Sequence, residues 1–537
     1  MNKKNAGGKL VKQAAVLATA SLIVRLIGLI YRWPLTNMIG DDGNGLYGIA
    51  FNIYLFFFVI SSGGLPAAIS KMVSERMALK QYKSAHKVFI ASLILAASTG
   101  FTCFVILWFG ANPIAKSLSN TRIVYSLKAL APTLLIVALM GAFRGYYQGM
   151  NTMVPTAISQ IIEQVFNAIF SIVLAGVFLK KSIELAAAGG TMGTGIGALA
   201  GLIFLVLLYL MLRPRLLKRI SNQEDDDYID ESYSDILKTL LSIAIPIIIG
   251  TAIFSITNLI DAKMVMSILQ SIGMSEIEAT GLYGQLTGKY VTLTNLPVSI
   301  SSALAAAVVP SIAASMALKE KKVVKNKVNL ALRVSMILAA PSMAGLFVLG
   351  DPILKMLFPS YPGGGDLLRI GSIAIIFLSV VQVATAILQG VGKVAIPARN
   401  AAIGTGCKII LNYFLISIPL LNIKGAVIST VICYVIISYL DMKAVKKLTK
   451  VKIDAISTFV KPIIASIVMG IFSFIFYRLF LWGSLSNTFA TLGSIVLSIV
   501  VYCSFLLVIG GVKKEDILLM PKGEIIYNKL VKLGLMS

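Results

Sequence analysis

Histidine occurs once in the 537 residues, as His86, and cysteine four times. No nucleophile–base pair, paired carboxylate or HExxH segment can be assembled within the apolar stretches. The sequence therefore points away from chemistry on a substrate and toward movement of one. Cys103, Cys407, Cys433 and Cys503 all lie in apolar spans without metal-ligand spacing, so neither a disulfide framework nor a zinc site is implied. Charge is scarce as well: 13% of residues are charged, 57% are hydrophobic and the mean hydropathy is +0.87. That balance belongs to a polytopic membrane protein rather than a soluble domain. Acidic residues number 23 against 48 basic ones, for a formal net charge of +25. In a soluble chain this excess would suggest nucleic acid. Here the basic residues gather in short loops between apolar spans, where topology explains them, and no nucleic-acid partner is expected.

Apolar windows long enough to cross a bilayer fall near 13–33, 45–70, 88–110, 124–147, 154–179, 186–212, 238–266, 280–315, 328–349, 367–390, 398–419, 424–442, 455–479 and 488–511. They predict an all-α polytopic membrane protein of about fourteen transmembrane helices. The first window is too long for a signal-peptide core and ends in RWP without a small-residue cleavage pattern, so it reads as a retained helix. The N-terminal tail, the 71–87, 213–219, 319–327 and 443–452 loops and the C-terminal tail are basic and fall on one side. The positive-inside rule makes that side cytoplasmic, with both termini inside a bacterial cell membrane.

One strongly acidic polar run, SNQEDDDYIDESYSD, lies between the sixth and seventh spans and reads as a flexible linker. The flanking halves echo each other. GLYG followed by five residues and tyrosine occurs as Gly45 to Tyr54 and again as Gly281 to Tyr290. Upstream, Thr36-Asn37-Met38-Ile39 is echoed by Thr257-Asn258-Leu259-Ile260; downstream, Gln148-Gly149 is echoed by Gln389-Gly390, each with a following proline (Pro155, Pro397) and asparagine (Asn167, Asn412). Two pseudo-symmetric six-helix lobes in a parallel repeat follow. The expected organisation is an N-lobe over 1–220, the linker over 221–235, a C-lobe over 236–450, two added helices over 451–512 and a cytoplasmic tail over 513–537.

Within the first span, Ser21, Arg25, Gly28 and Arg32 recur at steps of four, three and four and share one helix face. An arginine at a helix centre costs about 2.5–3.5 kcal/mol, whereas each aliphatic residue returns only about 0.3–0.6 kcal/mol. Arg32 can snorkel to the nearby end. Arg25 lies near mid-depth, which requires a protein-lined or water-filled surrounding: a carbonyl-bonded structural site, or an anion-binding site in a transport pathway. Lys289, near mid-depth in the eighth span with Gln285 one turn before it, is the second expected cavity cation. Glu163 and Lys408 each precede an echoed asparagine by four residues, placing opposite charges at equivalent points for an internal ion pair or a substrate contact. Asp261, near the outer end of the seventh span, could hold a cation or merely border water. Gly189, Gly193, Gly197 and Gly201 recur every fourth residue, and without a preceding strand or a following Walker lysine they indicate close helix packing rather than a nucleotide loop.

Arg25-x-x-Gly28 with Arg32, Gly40-Asp41, Gly45-Leu46-Tyr47-Gly48, the run from Ser61 to Glu75 and the run from Arg144 to Gln164 together carry a family resemblance. The chain resembles the polysaccharide-flippase branch of the multidrug/oligosaccharidyl-lipid/polysaccharide superfamily, and within it the stage V sporulation protein B group and the MurJ-type lipid II flippases. The resemblance implies two lobes facing each other in a V, a central cavity and two extra helices forming a lipid-facing groove. It also implies cavity arginines on the first, second and eighth helices that handle a pyrophosphate. Arg25 and Arg32 match on the first, the second offers Asn52 and Tyr54 instead, and the eighth offers Lys289. Some members hold sodium against a seventh-helix carboxylate, which Asp261 matches, whereas Lys408 in the eleventh helix departs from that pattern.

These readings imply a flippase without an enzymatic cofactor, moving an undecaprenyl-pyrophosphate-linked sugar, lipid II, between leaflets for peptidoglycan synthesis. Its partners are that lipid-linked sugar, membrane lipids and the cell-wall synthesis machinery, and it acts as a monomer driven by sodium or the membrane potential. The alternatives are a cation-coupled multidrug exporter, a sporulation-specific polysaccharide exporter and a non-transporting scaffold. An exporter of organic cations would want acidic cavity residues, while Arg25, Lys289 and Lys408 stand here against Glu163 and Asp261.

Overall fold

The computed structural model describes residues 3–221, 231–317, 320–512 and 527, and every regular element among them is helical. Each of the fourteen apolar windows falls on helix. Ten helices among the described residues are long and apolar enough to cross a membrane, or eleven when one bent pair is counted as a span. The chain is an all-α multi-pass membrane protein.

The chain packs as two compact units, Met1–Gly284 and Gln285–Ser537. The first contains α1 (Lys3–Ser62), α2 (Leu65–Ala78), α3 (Tyr82–Ser117), α4 (Val124–Gly149), α5 (Val154–Leu179), α6 (Ile183–Ser221), α7 (Tyr233–Ser271) and α8 (Glu276–Gly284). α1 is two helical arms joined at a non-helical break. Residues 31 and 47 would stand about 24 Å apart along a straight helix, yet the Tyr31 and Tyr47 hydroxyl oxygens are 3.4 Å apart. The chain doubles back at Gly40, whose φ of 68° is open to glycine and strained for other residues. Asn44 closes the break by donating its Nδ2 to the Gly40 carbonyl at 2.8 Å.

Glycine also explains two further contacts. A Cβ at Gly45 would stand 2.0 Å from the Thr280 carbonyl oxygen, and one at Gly284 would stand 1.8 Å from that of Asp41. The two GLYG echoes thus mark where α1 and α8 touch backbone to backbone. Along α6, a Cβ at Gly193 would lie 2.1 Å from Ser171 Oγ and one at Gly197 would lie 2.3 Å from the Glu163 carbonyl, both on α5. The four-residue glycine repeat is therefore a flush packing stripe, as its spacing predicts. Gly197→Val is expected to lower stability by about 1–3 kcal/mol or more, the scale of overpacking a closed interface. An unchanged unfolding midpoint in detergent would show that α5 and α6 can part there freely.

The second unit opens with a π turn over Gln285–Tyr290 and continues through α9 (Val291–Ala317), α10 (Lys321–Leu357), α11 (Gly365–Ser372), α12 (Ala374–Gly390), α13 (Ala395–Ile416), α14 (Ile423–Thr449), α15 (Lys461–Trp482) and α16 (Asn487–Val508). A 44° bend joins α11 to α12. The last two helices pack on α10 through Ala344, Ala465, Met469, Tyr502 and Leu506. The units divide inside the eighth span, since α7 and α8 pack on α1, whereas the sequence repeat places its boundary in the 221–235 run. Within that run, residues 222–230 lie outside the described residues, as does nearly all of the 513–537 tail.

Glu231, in the second half of the acidic run, forms an ion pair with Arg76 of α2. Lys87 of α3 stands 5.2 Å from the ring centroid of Tyr233, the first residue of α7. The same junction borders a cavity of about 500 Å³ lined by Lys71, Glu75, Arg76, Glu231 and Asp235. Within the 221–235 linker, Glu231 is therefore an anchor rather than free chain. Deleting a few residues between Gln223 and Asp230 is expected to leave activity intact at small entropic cost, while Glu231→Lys sets two cations together and lowers folded abundance. Quantitative immunoblotting of membranes distinguishes them, and equal abundance for Glu231→Lys would remove the anchoring role.

Candidate functional site

The second arm of α1 carries Tyr47, Phe51, Tyr54 and Phe58 at steps of four, three and four, which places all four rings on one face. Successive ring centroids lie 5.7, 5.6 and 6.1 Å apart, forming an aromatic ladder along the helix. Because the first arm folds back beside it, the Arg32 guanidinium lies 5.4 Å from the Tyr47 ring centroid. Arg32 is half-buried and held by cation–π attraction rather than snorkelling freely. On the same face of the first arm, Gly28 abuts Gln164 of α5, and Arg25 beyond it is exposed. This is the cationic face that the spacing of Ser21, Arg25, Gly28 and Arg32 predicts.

The other first-unit candidates take defined places. Asn52 Nδ2 donates to the Tyr283 hydroxyl at 2.8 Å, and Asp261, half-buried on α7, acts electrostatically on the same phenol. Among the described residues no cluster of three or more His, Cys, Asp or Glu side chains could hold a metal ion. Tyr54 is 4% exposed, with its ring between Phe51 and Phe58. As a surface open to a ligand it is corrected, since the side chain is buried. Glu163 accepts from Arg144 Nη2 at 2.7 Å, while Arg144 Nε donates to Ser159 Oγ at 3.0 Å. Of the two readings of Glu163, the geometry shows the ion pair. Arg144 itself escaped the site reading, although it opens the motif that contains Glu163.

Lys289 requires the largest correction. It is 1% exposed, and its Nζ donates to the carbonyl oxygens of Tyr361 at 2.5 Å and Gly363 at 3.0 Å. The Phe358 ring centroid lies 5.6 Å from the same nitrogen. The π turn rotates Lys289 onto the segment joining α10 to α11, where carbonyls rather than open space surround the charge. Gln285, half-buried, packs beside Gly364, whose φ of 103° starts α11. Lys408 on α13 is half-buried in the second unit.

At the end of unit 1 away from the basic loops, Arg122 binds both oxygens of Asp42, at 2.8 and 2.6 Å, and Glu184 Oε1 at 2.7 Å. The bonds to Asp42 hold the Arg122 guanidinium even more firmly protonated than usual. Burial pushes the Glu184 carboxyl up, but its backbone hydrogen bond and Arg122 outweigh that and hold it below the usual range. The clasp joins the α1 turn, the start of α4 and the start of α6. In unit 2 the starts of α11 and α14 are joined by Asp366 and Lys424 at 2.5 Å, with the charges exchanged.

Comparison with known proteins decides which transporter fold this is. A family model described as polysaccharide biosynthesis protein matches residues 10–316, more than half of the chain. The chain belongs to that family. A MatE model matches residues 246–414, and the two together place it in the multidrug/oligosaccharidyl-lipid/polysaccharide superfamily of flippases and transporters. Stage V sporulation protein B of Bacillus subtilis (strain 168) is 27% identical over 95% of this chain and 97% of that protein. Lipid II flippase MurJ of the same organism is 28% identical over 80% of each chain. Among solved structures, lipid II flippase MurJ in an inward closed conformation aligns with a TM-score of 0.65 at 17% identity, covering 91% of this chain and 98% of that one. The polysaccharide biosynthesis family thus gives the aromatic ladder and its arginines a setting in a transport protein.

Proposed function

We propose that this family member flips an undecaprenyl-pyrophosphate-linked sugar, lipid II, from the inner to the outer leaflet for peptidoglycan synthesis. The observation that carries the reading is the cationic face of α1: Arg25 exposed and Arg32 half-buried inside a membrane helix. The physical problem is moving a doubly phosphorylated head through hydrocarbon. Fixed cations offset the lost hydration of the phosphates while the polyprenyl tail stays in lipid. Similarity to a lipid II flippase over most of the chain supports the substrate class. The basic loops orient both termini toward the cytoplasm of a bacterial cell by the positive-inside rule.

A second reading, export of a spore-wall polysaccharide precursor, is favoured by the match across 97% of stage V sporulation protein B. Expression of this chain in cells depleted of their own lipid II flippase separates the two. Restored growth together with lipid II in the outer leaflet supports the first; a well-inserted chain that restores neither refutes it.

A further inference from the structure

Three helices of unit 2 close around a carboxylate that the transport reading does not use. Asp441, in the last third of α14, is 0% exposed. Its Oδ1 accepts from Asn400 Nδ2 of α13 at 2.8 Å, and Thr385 Oγ1 of α12 donates to its Oδ2 at 3.4 Å. Both donors are neutral, and among the described residues no cation forms an ion pair with this carboxylate.

The charged groups on every packed element bear this out. On α14, Lys443, Lys446 and Lys447 are exposed, and Lys424 is engaged with Asp366 at the far end. On α13, Arg399 is exposed and reaches Asn400 Oδ1 at 3.5 Å, while Lys408 lies two turns further along. No residue of α12 is charged, and Arg369 of α11 pairs with Asp351 of α10. Arg333 is the buried cation of α10, and Asp454 in the turn beyond α14 accepts from the Ser457 backbone.

The internal repeat sharpens the contrast. Arg144 and Thr385 each stand four residues before an echoed glutamine, Gln148 and Gln389. In unit 1 that position supplies the counter-ion of a carboxylate; in unit 2 it supplies a hydroxyl. A buried carboxylate without a counter-ion is costly when charged and is relieved by taking a proton. A hydroxyl suits both states, since it can donate to the anion or turn and accept from the acid, which a guanidinium cannot do.

We propose that Asp441 is a proton-binding site. The carboxylate takes a proton from water at the end of unit 2 that bears the 443–452 loop, becoming a neutral carboxylic acid whose O–H is accepted by Thr385 Oγ1. The reverse step returns the proton to water there. The α12–α13–α14 contact thereby carries a charge in one state and none in the other, which makes its packing sensitive to proton supply whatever substrate the chain moves.

Infrared difference spectroscopy of the purified full chain in lipid vesicles reads the acid form through its C=O stretch, without any substrate. The wild type is expected to show a protonated-carboxyl band that disappears as pH rises, does not change when sodium replaces potassium, and is absent from Asp441→Asn. Asn400→Leu, which removes one donor to the anion, is expected to raise the midpoint by about one pH unit. It also serves as an independent arm should Asp441→Asn fold poorly. No band that distinguishes wild type from Asp441→Asn at any pH, or a midpoint unmoved in Asn400→Leu, overturns the proposal. A band displaced by sodium at fixed pH overturns it in favour of an alkali-cation site.

Discussion

Arg25→Ala is expected to abolish export of the lipid-linked sugar while the protein still inserts and folds. The charge costs about 2.5–3.5 kcal/mol to place within a membrane helix, so its removal makes insertion easier. What is lost is attraction for an anion, because Arg25 is exposed on the same helix face as Arg32. The loss should therefore fall on transport per folded molecule and not on abundance. Outer-leaflet lipid II, normalised to membrane-inserted protein, reads this directly. Normal export by Arg25→Ala would make the residue a structural one.

Lys289 is expected to behave in the opposite way. Its two carbonyl contacts hold the segment between α10 and α11. Lys289→Ala strips that segment of two charge-assisted hydrogen bonds, a loss of about 3 kcal/mol or more. Lys289→Glu is expected to be worse, because it brings a carboxylate against the same carbonyl oxygens in a closed site. Both variants should lose thermal stability and abundance, with transport by the surviving folded fraction close to wild type. Lys289→Arg keeps the charge but must fit a larger head beside Phe358, so partial recovery is expected. If Lys289→Ala were instead abundant, thermally normal and inactive, the lysine would belong to the substrate path.

Residues whose environment is set by their own helix were legible in the sequence. The apolar windows fall on helices because a span must satisfy its backbone internally over about 20 residues. The face shared by Arg25, Gly28 and Arg32 follows from helical spacing alone, and so does the packing stripe of α6. Residues whose surroundings come from elsewhere were not legible. Lys289 sits in a π turn, which changes the register of the face it would otherwise share with Gln285 and Thr292, and its carbonyl partners lie 72 and 74 residues away. Arg144 finds Glu163 across the α4–α5 turn, so either residue alone looks unpaired. Asp441 stands just before a run of lysines and reads as the solvated end of a span, yet the helices that bury it are assembled from three separate stretches. The spacing of Tyr54 with Phe51 and Phe58 is legible as a shared helix face, but its burial to 4% exposure depends on packing that the spacing does not show.

Under the proposed function, the cationic face of α1 recognises a pyrophosphate carried on lipid. The most direct measurement reconstitutes the purified chain in vesicles and follows leaflet exchange of two fluorescent polyprenyl lipids with the same sugar head, one joined through a pyrophosphate and one through an uncharged ether. The pyrophosphate lipid is predicted to cross rapidly with wild-type protein and slowly with Arg25→Ala, and the ether lipid slowly with both. Equal crossing of the two lipids, or movement of the pyrophosphate lipid that does not depend on Arg25, would rule out pyrophosphate recognition by this face.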